Sequence, residues 1–220
     1  TMLNTIDTSK EQTQTLTYRI SRTYQSGAET IQEDLMDVTR EIKVVDLDKY
    51  MITEWNVSGD AGLEITLPVS GTGLNIIVDW GDGTEETITQ EYPTHTYAKA
   101  GVYEIAVMGN CPEWGYKESN SIGNQSKYYT YTQYLIGIKQ WGELNATRYG
   151  FSKCINLKYV HGNATTNTFL KLNDMTRMFC DCKSLQELDL SFINSSNVTC
   201  MHRVFAGCTN LKSINLDTLN

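Results

Sequence analysis

The chain has 220 residues, 40% of them hydrophobic and 13 of them tyrosines, which suits one large or two modest folded domains and excludes a disordered chain. A formal net charge of −8 and a sequence pI near 4.9 argue against a nucleic-acid partner. No run approaches the roughly 18 apolar residues that a membrane span needs, and Thr1-Met-Leu-Asn-Thr-Ile lacks the basic and apolar regions of a signal peptide.

After a polar start, Leu16, Tyr18 and Ile20 alternate with Thr15, Thr17 and Arg19, the pattern of a half-buried strand. Ser26-Gly-Ala-Glu29 then has capping-box spacing, and Ile31, Leu35, Val38 and Ile42 follow at steps of 4, 3 and 4. That spacing predicts an amphipathic helix. Residues 1–48 are therefore expected to form a strand–helix segment for attachment or oligomerisation.

Residues 49–109 read as strands throughout. Met51–Trp55, Leu63–Leu67, Leu74–Trp80, Glu86–Thr89 and Val102–Val107 are short and separated by glycine-rich turns, which argues for a β-sandwich. Ile76, Val78 and Trp80 fall on one strand face, so Trp80 is expected in the core. Asp82-Gly83 signals a tight turn, because glycine accepts positive φ and the aspartate accepts local N–H groups. Asp79 and Asp82 as metal ligands, or His95 as a catalytic base, are poorer readings, since a carboxylate before a turn glycine accepts local N–H groups and no Ser or Cys nucleophile lies near His95 in sequence.

Residues 110–220 begin with a segment rich in Tyr, Ser, Asn and Gly, a composition that favours binding. Strand alternation there would leave Tyr129 and Tyr131 exposed opposite Tyr128 and Tyr134. Trp114, Tyr116, Tyr129 and Tyr131 are the candidate ligand contacts.

A repeat follows: Phe151-Ser-Lys-Cys154-Ile-Asn-Leu157, Phe179-Cys-Asp-Cys182-Lys-Ser-Leu185 and Phe205-Ala-Gly-Cys208-Thr-Asn-Leu211. The phenylalanines are 28 and 26 residues apart, a period that signals a solenoid. Each unit reads as a strand plus a short helix or 3₁₀ turn, the latter from the pairs Met175/Met178 and Met201/Val204. Cys154, Cys182 and Cys208 share one repeat position and are expected as buried free thiols rather than disulfides or zinc ligands. Trp141 is placed to close the first end of the stack.

Two resemblances rest on these residues. Val78-Asp-Trp80-Gly-Asp82-Gly83-Thr84 with His95-Thr-Tyr97 resembles PKD-like immunoglobulin-type domains, which implies that Trp80 fills the core and Tyr97 ties a strand corner. Met175–Ser191 and Asn197–Leu211 resemble BspA-like leucine-rich repeats of surface proteins, a group that often carries a PKD-like module before the repeats. Together they imply a mainly β chain: a sandwich followed by a short leucine-rich-repeat solenoid. They also imply a non-enzymatic adhesion module at a bacterial surface, outside the cell, taking a host or cell-surface protein or glycan and needing no cofactor or metal. A phage or injection-particle fibre and an accessory domain of a secreted glycoside hydrolase are the alternatives.

Overall fold

In a computed structural model, residues 13–43, 49–58, 63–115, 131–142, 144, 148–161, 173–190 and 198–215 are described. The chain is mainly β and divides into two compact units, Thr1–Leu47 and Asp48–Asn220.

The first unit is one antiparallel ribbon of β1 (Thr13–Ser26) and β2 (Glu29–Lys43), joined at Gly27-Ala28. The helix expected over Ile31–Ile42 does not form: these residues are strand β2. The reason lies in the register. Ile20 pairs Met36 and Ser21 pairs Asp34, so Leu35 is an extra, bulged residue. One extra residue turns a period-2 stripe into steps that imitate a helix. Gly27, at φ +66, permits the sharp reversal that a helix start would not need.

The second unit is built on an eight-stranded mixed sheet. Its strands are β3 (Met51–Val57), β6 (Asn75–Asp79), β7 (Glu85–Ile88), β9 (Gly101–Asn110), β11 (Leu135–Gln140), β12 (Tyr159–Val160), β13 (Glu187–Asp189) and β14 (Ser213–Asn215), in spatial order β14-β13-β12-β11-β3-β9-β6-β7. Two short pairs accompany it: β4 (Glu64–Thr66) with β8 (Thr94–Thr96), and β5 (Val69–Ser70) with β10 (Glu113–Trp114). Strand β11 joins the two halves of the sheet. It pairs antiparallel with β3 on one side and parallel with β12 on the other.

Alternation decides what is buried. Met51, Thr53, Trp55 and Val57 face in, as do Ile76, Val78 and Trp80. Beyond β11, consecutive units stack their aromatic rings. Trp141 meets Phe151 edge-on at 5.3 Å, Phe151 stacks on Phe179 at 5.4 Å, and Phe179 on Phe205 at 6.3 Å. Leu157, Val160, Leu185 and Leu188 continue the same core, so the described parts of residues 49–109 and 110–220 share one sheet and one interior, where a separate sandwich and solenoid were expected.

Among the described residues, the segments between repeat strands are turns, not helices. Every second N–H crosses to the next unit: Phe151 N donates to Met178 O, Lys153 N to Cys180 O, Phe179 N to Val204 O and Asp181 N to Ala206 O. The intervening ones close tight turns, as Cys180 N does on Arg177 O at 3.1 Å. A helix directs all its N–H groups along one axis, so it cannot supply this ladder. Left-handed residues recur instead, with φ of 64, 52 and 55 at Tyr149, Arg177 and Arg203. The Met175/Met178 spacing, expected as one helical turn, is such a turn.

Candidate functional site

The residues singled out by sequence fall in three environments. Trp114 is fully buried on β10, with its ring 6.3 Å from Phe151, so it is a core residue and not a ligand contact. The strand expected through Tyr131 and Tyr134 is a 3₁₀ turn, Tyr131–Gln133, so the proposed two-faced alternation fails there. A turn fits because Tyr134 must bury itself at the start of β11, and it is buried. Tyr116, Tyr128, Tyr129 and the side chain of Tyr131 lie outside the described residues.

Around Asp82 the geometry is a tied hairpin. Asp82 accepts from the Thr84 N–H at 3.1 Å and the Thr84 hydroxyl at 2.6 Å, and lies 2.9 Å from His95 Nε2. These bonds, Thr84 first and His95 after it, hold the carboxyl down at about 2. His95 stacks on Trp80 at 4.5 Å, and Tyr97 donates its hydroxyl to Trp80 O at 2.8 Å. Gly83 takes φ +94 in the same loop. Asp82, Thr84 and the Tyr97 hydroxyl are engaged with the turn, the arrangement of a structural brace, while the buried Trp80 Nε1 has no hydrogen-bond partner among the described residues.

The cysteines stack as a column. Cys182 donates to Phe151 O at 3.1 Å and Cys208 to Phe179 O at 3.0 Å, each reaching back one unit. Cys154 and Cys182 are buried, and burial pushes both thiols well up. Cys208 departs from the expectation. It is half-buried, because no further unit covers it among the described residues.

The feature that the sequence missed is a row of side chains crossing the open face of the sheet. The register aligns Glu104 on β9 with Glu54 on β3, then Gly137, Tyr159, Glu187 and Ser213 on β11 to β14. Tyr159 lies down across Gly137, where an added Cβ would come within 2.2 Å of its ring. Its hydroxyl donates to Glu54 Oε2 at 2.8 Å. Burial and that bond push the phenol up to about 12, so it stays a donor. Lys139 bridges Glu54 at 3.6 Å and Glu104, and its ammonium is pushed up by Glu104 first. His161 is exposed and stacks on Tyr159 at 4.7 Å.

The result is an open strip about 24 Å wide, five inter-strand steps of about 4.8 Å. It offers an aromatic pair flanked by carboxylates and one bridging ammonium. Gly137 inside an apolar strand was the signal available, since strand glycines mark close approach of another group. A second recurring element lies beside the turns. Tyr149, Arg177 and Arg203 each stand two residues before a repeat phenylalanine, and Arg177 and Arg148 reach the Tyr149 ring at 5.8 and 5.9 Å.

Among the described residues no three His, Cys, Asp or Glu side chains group as a metal site, and no helix is long and apolar enough to cross a membrane. No family model, curated protein or solved structure matches this chain.

Proposed function

We propose that this chain is a non-enzymatic recognition module displayed outside a bacterial cell, in which a PKD-like sandwich carries a short BspA-like leucine-rich-repeat solenoid. The binding face is the strip around Tyr159 and His161, in place of the tyrosine-rich segment. A glycan suits this strip best. Sugar C–H faces stack on aromatic rings, and sugar hydroxyls donate to carboxylates. The carrying observation is the exposed His161–Tyr159 stack, fixed over Gly137 and flanked by Glu54, Glu187 and Lys139. Catalysis would need perturbed groups converging on one reacting atom.

The test is a glycan array probed with the whole chain, then with His161→Ala and Glu187→Gln. Both side chains are exposed, so both variants should fold as the parent does. Retained fold with at least roughly tenfold weaker binding, the effect of losing a stacking or charge-assisted contact, supports the reading. Undiminished binding by both variants sinks it. Binding to proteins but to no glycan would keep the surface and change its ligand class.

A further inference from the structure

The N-terminal ribbon has two unlike faces. One carries Thr15, Thr17, Thr23 and Gln32, together with Arg19 bonded to Asp37 at 2.8 Å and Asp34 at 3.2 Å. It is a solvated face. The register puts Leu16, Tyr18, Ile20, Arg22 and Tyr24 of β1 on the other, opposite Arg40, Val38, Met36, Glu33 and Ile31 of β2. Leu16 is buried, but Tyr18, Ile20, Tyr24 and Val38 are exposed and Met36 is 58% exposed. The bulged Leu35 adds a further 51% exposed side chain. Two-stranded ribbons are marginal in water unless something covers their apolar side, so this face requires an occupant.

We infer that the occupant is a second copy of this chain, its ribbon packed face to face and antiparallel about a two-fold axis. The charge pattern argues for it. Along β2 the rows run Arg40, Val38, Met36, Glu33, with the centre of the face between Val38 and Met36. A two-fold axis across the strands at that centre lays β2 on β2 with its direction reversed. Arg40 of each copy then meets Glu33 of the other, Val38 meets Met36, and Tyr18 meets Ile20. Arg22 holds Glu33 within its own ribbon at 2.6 Å, and Arg40 would close on that carboxylate from the opposite side. Isologous interfaces need this self-complementarity: residue i meets j and j meets i. An unrelated partner has no reason to find its charges spaced in this way.

Size sets the strength. From Leu16 to Tyr24 the face runs about 26 Å at about 3.3 Å per residue, so two copies bury less than about 1,200 Å². That is the weak end of specific association, and the dimer should dissociate at micromolar concentration.

Sedimentation equilibrium of the full chain should show monomer and dimer in exchange. Arg40→Glu and Glu33→Arg each place two like-charge pairs in the dimer and should weaken it by roughly tenfold or more. Mixed in equal amounts, the two variants should associate again, because each interface then regains two opposite pairs. Neither change touches the buried core, and circular dichroism of each variant provides the folding control. A parent chain that stays monomeric overturns the proposal. So does a dimer indifferent to both substitutions, or a mixture that fails to recover, since either outcome assigns the face to another occupant.

Discussion

The ribbon and the eight-stranded sheet follow the same period-2 rule to opposite ends. In β3 the rule buries Met51, Thr53, Trp55 and Val57 and leaves Ile52, Glu54 and Asn56 outside. In β1 and β2 it gathers Tyr18, Ile20, Tyr24, Met36 and Val38 on one side and leaves them exposed. Most of the sheet's inward face is buried within the chain; the ribbon's apolar face is not. A strand pattern therefore says that a face is apolar, but the number of layers decides whether that face becomes core or interface.

Substitutions in the two regions should separate accordingly. Trp80→Ala removes a fully buried side chain on which the His95 ring stacks, and should cost about 3–5 kcal/mol by urea denaturation. A loss below about 1 kcal/mol would break the claim that this half of the sheet is anchored there.

The cysteine column should respond unevenly. Cys154→Ser buries a hydroxyl with no bond like that of Cys182 to a carbonyl, and should cost roughly 2–3 kcal/mol. Cys182→Ser inherits the Phe151 carbonyl as a partner and should cost about 1 kcal/mol. Equal losses would contradict the geometry. With native protein, a thiol reagent should modify Cys208, Cys200 and Cys180 first. Cys111, whose thiol burial pushes up to about 12, should wait for denaturant together with Cys154 and Cys182.

Asp82 links stability to acid. Its folded value of about 2 lies below the usual 3.8, so its contribution is complete above the higher value and is lost as pH falls through the lower one. Melting temperature measured between these limits should fall more steeply for the parent than for Asp82→Asn; parallel curves would remove Asp82 from the brace. The smallest effect belongs to the polar side of the ribbon. Arg19→Ala breaks exposed pairs with Asp34 and Asp37 and should leave melting unchanged within error.

Much of the fold was legible because local chemistry and tertiary role agreed. Ile76, Val78 and Trp80 read correctly as one strand face and Asp82-Gly83 as a turn; the Phe/Cys/Leu period marks stacked rings and short strands of the large mixed sheet, and neither a solenoid nor the helical turns read from it are shown among the described residues. The helix over Ile31–Ile42 misread because a bulge at Leu35 shifts the period by one, and bulges leave no reliable mark in a single sequence. The strip proposed for binding left only the Gly137 signal, for a different reason. Glu104, Glu54, Tyr159 and Glu187 are scattered along the chain, and register alone aligns them. Trp114 misled because an aromatic-rich segment fits a binding loop and a core lining equally well.

Everything proposed for the strip depends on β11 serving both halves of the sheet at once. Native-state hydrogen exchange on the parent and on Trp80→Ala tests this directly. The amide of Asn56, which donates to Tyr134 O, should share one opening free energy with those of His161, Phe179 and Gln186, which join β11 and the repeat units. Trp80→Ala should lower all four together, although Trp80 lies in β6's turn, far along the chain from the repeats. If Phe179 and Gln186 keep their protection while Asn56 loses its own, the halves unfold separately and the row from Glu104 to Ser213 is not one surface.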